Sequence, residues 1–231
     1  MTDCGSEHII QQFRNFIQDK SYPCVAARSA SARNHIPCLV ASHMGCPNDD
    51  RRILDFIYQF IKDYRQSIEP LHSAAVLFAL PESATEEAFD IMLWERLQAL
   101  ARMDAKHFSY DRRVDPDPNS PHFSFSIGEE AFFIIGLNPG AERKSRQFNF
   151  PAMIFNPHAQ FEVLRNANQY DKMKRIVRKR DILYSGSVNP MLTDFGEASE
   201  AWQYSGRKYT RDWTCPLKVT HERPEDNPAT E

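Results

Sequence analysis

Apolar residues in this chain recur at two spacings, and the switches between them mark out its elements. Ile9, Phe13, Phe16 and Ile17 keep the helical period, which predicts a first helix over about residues 6–19. Residues 22–30 (YPCVAARSA) and 36–43 (IPCLVASH) are short apolar runs separated by polar residues; both read as strands, with an irregular segment the alternative for the first. Asn48 or Asp49 is placed to cap the next helix, where Ile53, Ile57, Phe60, Ile61 and Tyr64 form the buried stripe. Residues 73–80 (SAAVLFAL) suit a short buried strand. After Pro81, a Ser83–Glu86 capping box opens a long helix carrying Phe89, Leu93, Leu97 and Leu100 on one face.

The second half has a different texture. Residues 115–121 (DPDPNSP) are a loop, because their three prolines remove donors and fix φ. That loop feeds HFSFSIG and then EAFFIIGL, and the intervening Gly128-Glu129 pair predicts a hairpin. A Gly/Pro/Asn turn, a basic segment and a second apolar strand follow. Helices are expected over about 157–167 and 170–183, with a short one near 196–202 in an otherwise turn-rich stretch. Residues 222–231 are polar and proline-containing, the composition of a disordered tail. Strand groups interleaved with helices predict a single α+β domain over residues 1–221, a mixed β-sheet flanked by helices.

Composition narrows the class. A chain of 231 residues that is 42% hydrophobic can bury a full core. Its net charge of −3 advertises no nucleic-acid partner, and no apolar run approaches the length of a membrane span. The start, MTDCGSEH, lacks the charged and apolar regions of a secretory signal. Five scattered cysteines without a CxxC pair argue against a disulfide framework or a cysteine zinc site. A cytoplasmic location is the expectation.

The chemistry concentrates between residues 131 and 165. Asn156 suits an N-cap and Pro157 the first helical position, which sets His158 at the positive end of the helix dipole. That field disfavours imidazolium, so His158 is expected neutral near pH 7, the form that ligates a metal. Spacings of three, four and seven place Phe161, Glu162 and Arg165 on its face. A lone histidine at a helix start is also an ordinary buried residue, and spacing does not separate the two readings. The GLNPG turn at 136–140 lacks both phosphate-loop spacings. DFG at 194–196 has none of the companion motifs of a kinase. Asp194, Glu197 and Glu200 are equally a carboxylate clamp for a cation and the dipole-favoured acids of a helix start. The run KMKRIVRKR at 172–180 reads first as a solvated basic face, and second as a patch for a redox or nucleic-acid partner.

The longer pattern carries more. NFPAMIFNPHAQFEVLR (149–165) followed by RKRDILYSGSVNPMLTDFGEASEAWQYSGR (178–207) resembles the YqcI/YcgG family. The resemblance covers roughly residues 131–215, with a weaker echo at 22–30. That family includes haem-dependent N-oxygenases, which hydroxylate amine or guanidine nitrogens of arginine, lysine and related metabolites. The resemblance implies a b-type haem with His158 as the iron ligand and Phe161 as an apolar wall. Family members often carry histidine where this chain has Asn138, which strengthens His158 as the candidate. Cys215 and, less so, Cys24 are the rival thiolates. Arg146 and Arg165 are implied as propionate partners, with Arg143 in the same basic loop. Asp194, Glu197 and Glu200 would hold a cationic substrate. O₂, an external electron donor and room for a homodimer complete the implied partners. The alternative is a haem or small-ligand sensor without turnover; a metal hydrolase built on His158 lacks an HExxH-like pair.

Overall fold

A computed structural model of the chain describes residues 3–221. The tail expected from residue 222 onward lies outside the described residues. A five-stranded mixed sheet runs through the molecule in the order β1-β2-β5-β4-β3. Its strands are β1 (Cys38–His43), β2 (Ala74–Leu80), β3 (Phe125–Ile127), β4 (Glu130–Leu137) and β5 (Ala152–Pro157). β1 and β2 pair in parallel, and the remaining neighbours are antiparallel. The expected α+β sheet flanked by helices is the observed architecture.

Both faces of the sheet are covered, which is why β2, β4 and β5 read as nearly unbroken apolar runs. Successive side chains alternate between two cores. Val76, Phe78, Phe132, Ile134, Met153 and Phe155 point to one side, where α3 (Asp50–Gln66) and α4 (Glu86–Asp104) supply Ile53, Ile57, Phe89, Leu93 and Leu97. Ala75, Leu77, Leu137, Ala152 and Ile154 point to the other, where α1 (Asp3–Gln18) supplies Ile9, Phe13 and Ile17. Two further helices, α5 (His158–Asn166) and α6 (Tyr170–Ser185), extend the cover on that second side.

The hairpin between β3 and β4 turns on Gly128 (φ 59°) and Glu129 (φ 57°), the paired left-handed residues of a type I′ turn. Asp104 receives the Gly128 N–H at 3.0 Å and Arg65 donates to both turn carbonyls. Gly136 allows a close approach elsewhere on β4. A Cβ there would meet the Tyr204 carbonyl at 2.9 Å, and the Gly136 N–H donates to that carbonyl at 2.7 Å. This contact holds the segment around residues 200–205 against the sheet.

Two local expectations are corrected. Residues 22–30 are not a strand: α2 (Val25–Ala32) is a helix whose apolar residues are mostly alanine, the strongest helix former. Cys24 caps it from an extended conformation, its Sγ accepting from the Ala27 N–H at 3.4 Å. Small side chains give no stripe by which to tell the two periods apart. The cap of α4 is Thr85 rather than Ser83, its Oγ1 accepting from the Ala88 N–H at 3.2 Å.

Candidate functional site

A cavity of about 250 Å³ opens on the second face of the sheet, between β4–β5 and the helices that cover them. The sheet contributes Phe133, Ile135, Leu137 and Ile154 as a floor, and α1 and α2 contribute Phe13, Ile17 and a row of alanines. Helix α6 closes the other side with Met173 and Val177. An apolar chamber with a few convergent polar groups is the usual make-up of a small-molecule site.

The polar groups cluster where α5, α6 and residues 192–203 meet. Arg165, Lys174 and Arg178 bring three cations to the cavity wall, and Asp194 and Glu200 bring two carboxylates. Asp194 is committed to α6: Lys174 Nζ lies 2.7 Å and Arg178 3.6 Å from its carboxylate. That hydrogen bond raises the Lys174 pKa, so the ammonium is secure. Arg165 is different. Its guanidinium lies 4.5 Å over the Tyr170 ring and 5.9 Å from that of Phe195, with no acidic partner among the described residues. A cation held by ring faces keeps its hydrogen-bond donors available for an anionic group.

Glu200 is buried in a short 3₁₀ turn, Glu200–Gln203, capped by Ser199. The Tyr204 hydroxyl approaches its Oε2 at 3.5 Å, and its Oε1 lies 3.5 Å from Nδ1 of His158. His158 begins α5 as β5 runs into the helix without a loop. Asn156 does not cap this helix: it sits in β5, accepting from Ser73 Oγ at 2.7 Å and donating to the Phe133 carbonyl at 3.0 Å. Pro157 takes the capping position, and its ring carries no hydrogen-bonding group to offer. The His158 ring is 3% exposed, packs on Phe195 at 4.4 Å between centroids, and faces Glu162 Oε1 at 3.9 Å through Nε2. Both ring nitrogens are buried without a hydrogen-bond partner. Such orphans in a folded interior call for a functional or ligand-based account. Because Phe195 and Glu200 line the cavity and touch the ring, His158 stands directly behind that wall.

The other expected site residues scatter. Phe161 and Arg165 line the cavity as the helical spacing required. Arg146 is buried and spends its guanidinium on the carbonyls of Gly136, Gln203 and Tyr204, which makes it a brace between β4 and the 3₁₀ turn. Arg143 pairs with Asp181 and the Ser187 carbonyl, anchoring the end of α6. Glu197 turns back to accept from the Asp194 N–H at 3.1 Å on the exposed side. Cys215 packs against the first core, and burial pushes its thiol up to about 12. Cys24 does reach the cavity, with burial likewise raising its pKa, so it is held as the thiol.

Sequence reading missed one lining residue with chemistry of its own. His72 faces the cavity, stacks on His35 at 4.3 Å, and has its Nε2 3.0 Å from Ser67 Oγ. Burial, with His35 beside it, lowers its pKa. No local pattern announces it, because His35, its stacking partner, is brought beside it only by the parallel pairing of β1 with β2.

Of the groups a haem needs, the apolar walls and the uncommitted Arg165 line the cavity, whereas the imidazole of His158 stands behind Phe195 and Glu200. The volume is the limiting quantity. A cavity of 150 Å³ accepts one benzene, so about 250 Å³ has room for a guest of amino-acid size. A tetrapyrrole is larger, and α6 is the part of the wall that could give way, since none of its side chains is buried.

Comparisons with known proteins bear on the same region. The YqcI/YcgG family model matches residues 13–218. The protein YcgG of Bacillus subtilis (strain 168), itself uncharacterised, is 27% identical over 186 residues, covering 76% of this chain and 71% of that protein. The uncharacterised YqcI of the same organism is 21% identical over 187 residues, covering 78% of this chain and 72% of its own length. No solved structure matches the chain.

Proposed function

The chain belongs to the YqcI/YcgG family, and from that premise we propose that it is a haem-dependent N-oxygenase acting on an amine or guanidine nitrogen of a small, arginine- or lysine-like metabolite. The observation that carries the reading is a buried imidazole without a hydrogen-bond partner, His158, standing behind the Phe195–Glu200 wall of an apolar cavity that ends in carboxylates. Haem, when bound, supplies the oxygen chemistry. His158 would hold the iron, and Arg165, in place of Arg143 and Arg146, would hold a propionate.

The chain's own groups do the rest. Glu200 is the carboxylate that faces the cavity with no lysine or arginine partner among the described residues, and it binds the cationic end of the substrate. In a buried setting such a pair is strengthened by the low effective dielectric. Phe133, Ile135, Ile154 and Met173 exclude water and orient the aliphatic stem. Asp194 serves at one remove by keeping α6 closed over the cavity. No helix among the described residues is long and apolar enough to cross a membrane, and the substrate class is water-soluble.

The test is an optical spectrum of protein produced with a haem precursor, before and after reduction and CO, for the wild type and for His158→Ala and His72→Ala. A Soret band in the wild type that is lost in a folded His158→Ala protein and kept in His72→Ala is the expected result. Retention in His158→Ala and loss in His72→Ala overturns the ligand assignment. A wild type that never shows a stoichiometric Soret band overturns the haem reading and leaves a module for a small cationic ligand, which the volume of the cavity favours. Amines and guanidines, starting with arginine and lysine, are then screened for a mass gain of one oxygen. Haem without any oxygenation under any reductant turns the assignment to a haem sensor.

A further inference from the structure

Helix α6 has two faces of opposite use. Tyr170, Met173, Lys174, Val177 and Arg178 keep helical spacing and line the cavity. On the far side, Lys172, Arg175, Ile176, Lys179, Ile182 and Leu183 fall within an arc of roughly a third of the helix, at 100° per residue, and all six are exposed. Ile176 is 41% exposed, Ile182 43% and Leu183 79%, which is unusual company for three cations. The chain as a whole is acidic, at −3, yet α6 holds six cations against two acids. Three of them are spent internally: Lys174 and Arg178 on Asp194, and Arg180 on the carbonyls of Lys20 and Tyr22. Lys172, Arg175 and Lys179 have no acidic side-chain partner among the described residues.

We propose that this outer face of α6 is the docking surface for a small acidic electron-carrier protein. The proposal rests on the N-oxygenase reading for the carrier's role. Inserting one oxygen atom of O₂ into an N–H bond, with the other leaving as water, consumes two electrons and two protons; a reduced iron–sulfur or flavin protein supplies the electrons. A carrier seated on this face is one helix diameter, about 10–12 Å, from the cavity. The chemistry of the face selects the occupant. Cations interleaved with apolar side chains match a protein patch with an apolar centre and acidic rim. A bilayer-binding helix separates a continuous apolar face from its cations and favours aromatic anchors, and neither holds here. A second copy placed across a two-fold axis would set like charges against each other.

The experiment measures binding rather than turnover. An acidic [2Fe–2S] ferredoxin is titrated into the full chain by calorimetry, in haem-loaded and haem-free forms. The variants are Lys172→Glu/Arg175→Glu/Lys179→Glu, the milder Lys179→Gln, and Arg51→Glu/Lys62→Glu on α3 as a control. The expected result is saturable binding, weakened about ten-fold or more by the triple reversal and by raised salt, and unchanged in the control. Lys179→Gln should show a smaller loss, and the haem content of all variants should equal that of the wild type. Absence of binding by the wild type, or binding insensitive to the α6 changes, overturns the proposal. So does retention on anionic phospholipid vesicles with no affinity for the ferredoxin, which would assign the face to a membrane. Docking through α6 by a chain that never takes up haem leaves the surface standing and removes the oxygenase reading. Haem-dependent turnover that ignores the α6 variants does the reverse.

Discussion

The two sides of the sheet handle buried charge in opposite ways. Around α3 and α4 the buried charges among the described residues are paired. Arg96, 3% exposed, pairs with Asp50 and donates twice more to the Met44 carbonyl. Asp111, Arg113, Glu130 and Arg65 form a chain of ion pairs beneath the β3–β4 hairpin. Asp104 accepts from Tyr58, Gly128 and His221 at once. On the cavity side, His158 has two orphaned nitrogens, Arg165 leans on aromatic rings, and α6 buries no side chain. On the first side the buried charges are paired, and the polar atoms left without a partner, Ser124 Oγ and His221 Nδ1 among them, belong to groups otherwise held in place. The other leaves both nitrogens of His158 unpartnered beside an open cavity, under a helix that buries no side chain, the pattern expected of the low-stability end of a structure.

The largest expected effect comes from breaking the closed side. Asp50→Ala leaves the Arg96 guanidinium buried without its counter-charge, which costs about 3–5 kcal/mol, read as a drop in the urea midpoint. Leu93, fully buried among the first core, should cost about 2–5 kcal/mol as Leu93→Ala. Met173→Ala on α6 removes a side chain of similar size and should cost about 1 kcal/mol or less. Equal losses at the two positions would show that α6 is packed as firmly as α4, and the contrast would fail.

Much of the closed side was legible in the sequence, and the reason is local. The stripe Ile53, Ile57, Phe60 and Ile61 and the stripe Phe89, Leu93 and Leu97 each belong to one helix and point at one core. The hairpin declared itself through Gly128-Glu129 because only left-handed residues make that turn. The cavity side was legible only in fragments. Phe161 and Arg165 follow from the spacing of α5, but the cavity wall runs from Phe13 to Gln203 and is assembled by the sheet order. Nothing adjacent in the chain links His72 to Asp194. The brace made by Arg146 was hidden for the same reason: its three carbonyl partners lie 10, 57 and 58 residues away. Capping at Asn156 was misread because the side chain had a better offer from Ser73 and Phe133 across the sheet.

Acid separates the two sides through a titrating group. Burial works against ionised Asp111, but hydrogen bonds from the Arg113 side chain and backbone, the charge of Arg113 and the Ala131 N–H outweigh it, so its pKa is lowered. A depressed carboxylate pKa contributes stability that is present above the unfolded value, near about 3.9, and is lost as pH falls through the folded one. Asp111→Asn should therefore destabilise by about 1.5–3 kcal/mol at pH 7, the worth of hydrogen bonds to a charged group. The gap between variant and wild type should close at acid pH, below about 3.9. A gap that stays constant across the titration would mean that shape, rather than charge, is what the variant lost.

The smallest global effect is expected where the local one is most informative. Asp194 holds α6 through Lys174 and Arg178, yet its side chain is 31% exposed and theirs 22% and 36%. Partly exposed pairs of this kind contribute about 0.2–1 kcal/mol. Asp194→Asn should barely move the urea midpoint, because α6 takes no part in either core. It should instead speed amide hydrogen exchange across Tyr170–Ser185 while leaving α3 and α4 protected to the same degree. If the haem reading holds and α6 is the element that yields, the same variant should bind and release haem faster with little change in its spectrum. Uniform loss of protection over the whole sheet would tie α6 to the global fold and remove it as the moving part. Unchanged exchange in α6 would leave Arg143–Asp181 and Arg180, with the Lys20 and Tyr22 carbonyls, as its real anchors.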